Sequence, residues 1–211
     1  WETGDVADRF DPEWETTVLE TVTESVETHG ENPLLVGWFI DNEIRWGPDW
    51  RGFETLLQLY LSTTADSPGK QAAVDLLLTE LGDVDAVNSA LGTDYDDEDA
   101  MLADTGEWEV LDVNTSDTAA ALTTAFLIQA ADHYFSTTTE AIRELDANHL
   151  ILGNREVSVM TRQEVWEAQE SYTDVISVNN YVFVDGVAET ALAISGGLDP
   201  ADGFAAQHAL V

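Results

Sequence analysis

Cysteine is absent from the 211 residues. That excludes disulfides and thiol nucleophiles and leaves the compartment open. Basic residues are nearly as scarce: Lys and Arg number 7 against 42 Asp and Glu, the formal net charge is -35, and Lys70 is the one lysine. A chain with so little positive charge has nothing with which to grip phosphates, so nucleic acid is excluded as a partner. No apolar run approaches the ~18 residues that cross a bilayer, and no membrane span is expected. A Gly-rich phosphate loop is also missing. The chain begins at Trp1 rather than Met, with no recognisable leader, which fits either a removed leader or an internal fragment.

What is present is the composition of a packed protein. Hydrophobic residues make up 44% and include seven Trp, which no disordered acidic tail would carry. The acids are spread along the chain rather than gathered into one patch, and Thr and Ala are abundant. At low ionic strength such a surface repels itself. Molar salt shortens the Debye length to ~3 Å and removes most of that cost. This pattern resembles proteins of halophiles that keep high internal salt; a patch made for one cationic partner would cluster instead. The length allows one domain or part of a larger one, since α/β barrels commonly need about 250 residues.

Helical and extended patterns alternate, as in βα units around a parallel sheet. Asp11-Pro12 reads as an N-cap followed by proline at the first helical position, with Trp14, Val18, Leu19, Val22 and Val26 on one face and Gly30 as the stop. Leu34 to Ile40 reads as an apolar strand buried on both faces. Phe53, Leu56, Leu57, Tyr60 and Leu61 mark a second helix, and Ser67-Pro68 opens a third that ends at Gly82. Residues 83–117 are acidic and irregular, with at most a short helix over 84–91, and are expected to be a solvated excursion. A long helix from about Thr118 to Leu145, a strand from His149 to Gly153, a helix over Gln163–Glu170, a strand over Asp174–Asn179 and a helix from Asp199-Pro200 to His208 complete the pattern. Three strands with their helices fit no closed domain. They fit about half of a (β/α)8 TIM barrel, with residues 1–211 part of a single catalytic domain.

In such folds functional groups stand at the carboxyl ends of strands. The candidates are Asp41, Asn42 and Glu43; Asn154, Arg155 and Glu156; and Asn179, Asn180 and Tyr181. They are carboxylates, amides, a guanidinium and a phenol, with no His or Cys, so neither a metal site nor a cofactor is expected. The acids of Asp94–Asp99 lack the calcium-loop spacing and read as solvated surface. Carboxylate, amide and aromatic together suit a sugar: one carboxyl group protonates the departing oxygen, a second acts as nucleophile or base, and flat rings such as Trp46 and Trp50 face a pyranose.

The run GWFIDNE, Gly37 to Glu43, resembles the strand-four motif of barrel glycoside hydrolases of clan A, in which an Asn-Glu pair ends the strand. Its longer form, continued by Trp46-Gly47, is most similar to β-agarases and related β-galactosidase-type enzymes. FDPEW at Phe10, ALGTDY at Ala90, HYFSTTTEAIRELDANHLILGNR at His133 and DVISVNNY at Asp174 follow in family order. The resemblance implies a retaining glycosidase of β-linked galactans or β-galactosides, adapted to high salt and acting on an oligo- or polysaccharide. It makes Glu43 the general acid/base and lets Asn42 bind the hydroxyl beside the anomeric carbon. Arg155 would orient carboxylates or substrate, Tyr181 would line the site, and Asp41, Trp46, Trp50 and Asn180 would complete the substrate contacts. The nucleophile should be a Glu on strand seven, C-terminal to residue 211. Glu156 lies at the right edge but on the wrong strand for it, and Asp185 lies in a loop.

Plainer roles stand beside these. Glu43 could be one loop acid among many, Asn42 a turn residue, Trp46 and Trp50 packing under the loop, Arg155 half of a structural ion pair and Tyr181 a core residue. His133 and His149 read as structural. The competing function is a non-catalytic carbohydrate-binding barrel that has lost its nucleophile. Polymer substrates suit secretion and high internal salt suits a cytoplasm, so the sequence leaves localisation undecided, and oligomeric state with it.

Overall fold

The computed structural model describes residues 2–3, 6–106, 108, 111–158 and 160–179. Two short strands, β1 (Glu2–Thr3) and β2 (Val6–Ala7), pair antiparallel ahead of helix α1 (Pro12–His29). Asp11 caps α1 by accepting the Glu13 N–H at 2.8 Å, and Pro12 costs nothing at a position whose N–H has no helical partner. Strand β3 (Gly37–Asn42) follows, then α2 (Leu56–Leu61), α3 (Pro68–Leu81), α4 (Val84–Leu91), α5 (Glu98–Ala103), α6 (Asp117–Leu145), β4 (Leu150–Val157), α7 (Gln163–Tyr172) and β5 (Ser177–Asn179). The fold is mixed α/β. Strands β3, β4 and β5 form a parallel sheet in chain order.

Strand β4 runs past Gly153 to Val157, so Asn154, Arg155 and Glu156 lie within it rather than beyond its end. Two further expectations change. The first apolar strand starts at Gly37 and runs on through Asp41 and Asn42, while Leu34 and Val36 stand exposed. Within β3, Phe39, Asp41 and Asn42 are exposed, so the strand is not buried on both faces, and among the described residues it pairs with β4 alone. The 83–117 segment is more than a solvated excursion. Asp83 and Asp97 cap α4 and α5 by accepting N–H groups three residues on, and Val87, Leu91, Met101, Trp108 and Leu111 enter the core. Its acids occupy the outward positions, which hid the apolar spacing. The helix read over 199–208 lies outside the described residues.

Helix α6 is the backbone of the packing. Leu122, Phe126, Leu127, Ala130, Tyr134 and Phe135 are buried along α6, which packs against α1, α2, α3 and α7. Tyr60 meets Phe126 edge-on with ring centroids 5.2 Å apart, a geometry that the ring quadrupoles favour. Lys70 is fully buried and donates its Nζ to the carbonyls of Thr63, at 3.1 Å, and of Asp104, which ties α3 to the loop after α5.

The sheet is irregular where it matters. Trp38 lies opposite Ile151 but Phe39 opposite Gly153, so β4 carries an extra residue there, and a second register shift falls between Phe39 and Asn42. Gly153 has φ 73° and its missing Cβ would stand 2.8 Å from Gln169 Nε2, so glycine alone suits this bulge. Bulges of this kind re-aim the side chains beyond them.

Candidate active site

The carboxyl ends of the three parallel strands converge, and each delivers one part of the site. From β3 come Asn42 and, one residue past the strand, Glu43. Glu43 adopts φ 54°, the left-handed region, which costs a residue with a Cβ roughly 1–2 kcal/mol. Its N–H donates to the Arg155 carbonyl of β4 at 3.0 Å, so the turned backbone is held against the neighbouring strand. From β5 comes Asn179, whose Nδ2 donates to Glu43 Oε1 at 2.7 Å and to Asn42 Oδ1 at 2.8 Å. One amide thus fixes the acid and the adjoining amide together. The half-buried Glu43 carboxyl and the exposed Asn42 remain within reach of a ligand above the sheet edge.

Asn179 is the residue that sequence reasoning undervalued. It stands among the strand-end candidates, but the resemblance assigns the substrate contacts to the next two positions, Asn180 and Tyr181, which lie outside the described residues. The available signal was period two: β5 places Ser177 and Asn179 on one face and Val178 on the other.

Asp41 lies at the rim of a cavity of about 280 Å³ between α1, β3 and α6, with Tyr134 Oη 3.5 Å from its Oδ2. Tyr134 is buried, and loss of water around it pushes its hydroxyl well above the ordinary tyrosine range, so it acts there as a neutral donor. Arg155 is exposed with its guanidinium 5.0 Å from the centre of the Phe39 ring.

The loop after Glu43 separates the two tryptophans. Trp46 is enclosed: its ring packs near-parallel to Phe135, meets Tyr134 edge-on and lies 4.1 Å beneath the Arg9 guanidinium, while its Nε1 donates to Glu156 Oε1 at 2.8 Å. That placement gives the ring no free face for a sugar, and of the two roles open to it packing under the loop is the one that the burial favours. Trp50 is different. More than half of it is exposed, and its ring carries the Arg51 guanidinium at 4.6 Å. Asp49 in turn holds Arg51 through both Nε and Nη2, at 2.9 and 2.6 Å. Burial works to raise the Asp49 carboxyl, but the Arg51 bonds and the nearby Arg45 outweigh it and leave it below the ordinary range. Arg45, nearly fully buried, bonds the Gly47 carbonyl and Glu54 and stiffens the same loop.

Glu156 is the other carboxyl at this end of the sheet, only 1% exposed. Burial raises it to about 7, against bonds from Trp46, Asn154 and Thr161 and the charge of Arg9 that pull it down. His133 and His149 lie away from the carboxyl ends of the strands. His133 stacks on Phe10 and bonds the Arg9 carbonyl; His149 bonds Asp146, which also accepts Trp38 Nε1.

No family model matches the chain. Among curated proteins it is 29% identical to β-agarase A of Vibrio sp. (strain JT0107) over 188 residues, and 25% identical to β-agarase B of the same strain over 186. Each alignment covers 84% of this chain but only 18% and 19% of those relatives, so the chain spans about a fifth of their length. Among solved structures it superposes on an exo-β-agarase with a TM-score of 0.71 and 29% identity, over 85% of this chain and 25% of the other. In sequence and in fold alike, the chain is similar to a segment of β-agarases.

Proposed function

We propose that this chain forms the acid/base side of a retaining glycoside hydrolase that cleaves β-linked galactan, agarose being the polymer that its relatives' names point to. The observation that carries the reading is the Asn179 amide shared between Glu43 and Asn42. It aims an acid and a hydroxyl-binding amide at the same point above the end of a parallel sheet. Three consecutive strands, adjacent in chain order and joined by helical crossovers, support a stretch of (β/α)8 barrel wall.

In this reading Glu43 gives its proton to the leaving oxygen and later takes one from water. Asn42 holds the hydroxyl beside the anomeric carbon, where a hydrogen bond that strengthens in the transition state speeds the reaction. Arg155 orients the second carboxyl group or the substrate, Asp41 with Asn180 and Tyr181 lines the sugar's path, and exposed Trp50 offers a stacking face. The nucleophile, a second carboxylate, stands about 5–5.5 Å from Glu43, as retention requires. The acidic surface suits work in molar salt.

The test uses the whole protein that contains this chain, in molar KCl, with agar oligosaccharides. The wild type should release sugar, and Glu43→Gln should lower kcat by at least ~10²-fold, the low end for general acid catalysis. Undiminished turnover in that variant removes Glu43 from the role. Tight binding of oligosaccharide by the wild type without any turnover would instead make this a carbohydrate-binding barrel.

A further inference from the structure

Glu156 needs a reason to be where it is. A carboxyl group so fully enclosed loses its water and must be repaid in hydrogen bonds. It receives three: Oε1 accepts from Trp46 Nε1 at 2.8 Å and Asn154 Nδ2 at 2.5 Å, and Oε2 accepts from Thr161 Oγ1 at 3.2 Å. Two of the donors come from its own strand and the turn after it. The third, Trp46, comes from 110 positions away, on the loop that begins at Glu43.

The adjoining residue of the same strand holds the other end of that loop. Arg155 takes the Glu43 N–H on its carbonyl, and Glu156 takes the Trp46 indole on its side chain. The four residues from Glu43 to Trp46 are therefore pinned at both ends to two successive positions of β4. Between those pins Glu43 is kept at φ 54°, a conformation that persists only where the surroundings impose it. Phe135, Tyr134 and Arg9 close around the Trp46 ring and leave it no second position.

We infer that Glu156 is a positioning residue for the candidate acid: through the Trp46 indole it fixes the turn that presents the Glu43 carboxyl to the Asn179 amide. Cutting this link lets the turn relax to negative φ, and Glu43 leaves the point that Asn42 and Asn179 define. The consequence for turnover rests on Glu43 being the acid/base; the consequence for the backbone does not.

Three variants test it: Trp46→Phe, which keeps a ring and deletes the donor; Glu156→Met, which keeps bulk and deletes the acceptor; and Glu156→Gln, which keeps an acceptor for both N–H groups. Amide hydrogen exchange is followed in molar KCl on the whole protein. Trp46→Phe and Glu156→Met should each lose at least ~10-fold protection at residues 43–45 with α6 unchanged, as local opening requires. Glu156→Gln should restore most of it. In the same two variants kcat should fall ~10- to 100-fold with KM little changed, as expected when a reacting group is displaced by about an ångström. Protection lost evenly across the protein, or not lost at 43–45, overturns the inference and leaves Glu156 a general stabiliser. Local opening with full kcat, where Glu43→Gln is inactive, also overturns it. An active Glu43→Gln variant sinks the catalytic reading instead, and the exchange pattern alone then decides whether the pin exists.

Discussion

Asp146 and Glu156 lie toward opposite ends of the same sheet, and their surroundings push them opposite ways. Burial works to raise the Asp146 carboxyl, but donors from Trp38, Asn148 and His149 outweigh it and bring it to about 2. For Glu156 burial wins and the group rises from 4.5 to about 7. The sign follows by linkage: an acid raised on folding contributes stability that is fully present below about 4.5 and lost as pH rises through about 7. Glu156→Gln removes that one titration. The unfolding free energy of the variant relative to wild type should therefore grow from pH 4.5 to pH 8, by about 1.4 kcal/mol for each pKa unit, read from urea melts at fixed salt. A flat difference would mean that Glu156 titrates normally. At this scale the sequence was legible for Asn42 and Glu43, because the whole run GWFIDNE marks a strand end. It could not reveal that Trp46 folds inward while Trp50 stays out, or that one acid among 42 would be sealed beneath an indole, since both depend on neighbours about 90 to 110 positions away.

Helices whose ends carry their own chemistry were readable: α1 by Asp11 and Gly30, α3 by Ser67-Pro68 and Gly82, and α6 by its long apolar face. Elements whose limits depend on partners were not. Strand β3 begins three residues late because pairing with Leu150 starts at Gly37, and β5 begins at Ser177, three residues later than expected, because its pairing with β4 starts there. Helix α4 has the bounds of the short helix expected over 84–91, whereas α5 is obscured because six residues present too few apolar positions among their acids to show a period. What attaches them is readable only in three dimensions. Lys70 donates into the loop after α5, whose Asp104 carboxylate also accepts the Tyr95 hydroxyl at 2.7 Å. Lys70→Ala strips two carbonyls of their donor and leaves a void, which should cost about 2–4 kcal/mol in chemical denaturation. A loss below about 0.5 kcal/mol would show that α3 and α5 hold together without the Lys70 bonds.

Among the described residues most acids face outward, with Asp8, Asp146 and Glu156 buried. On α1 alone, Glu13, Glu15, Glu20, Glu24 and Glu27 are exposed, and the few arginines are gathered near the strand ends or tied into local pairs. With a formal charge of -35, raising KCl from 0.1 to 2 M should raise Tm by ~10 °C or more through screening, as followed by circular dichroism. An unchanged Tm would set aside the salt-adapted reading. The Asn179–Glu43 bond has a further meaning in time. Its partners are 136 positions apart, whereas helices α2 to α5 are built largely from close neighbours in the chain. Contacts between near neighbours cost little loop entropy and form early; those across long separations wait. During synthesis the acid emerges from the ribosome long before the amide that orients it, so a half-made protein carries Glu43 with no direction. It gains that direction only when β5 has been added to the sheet.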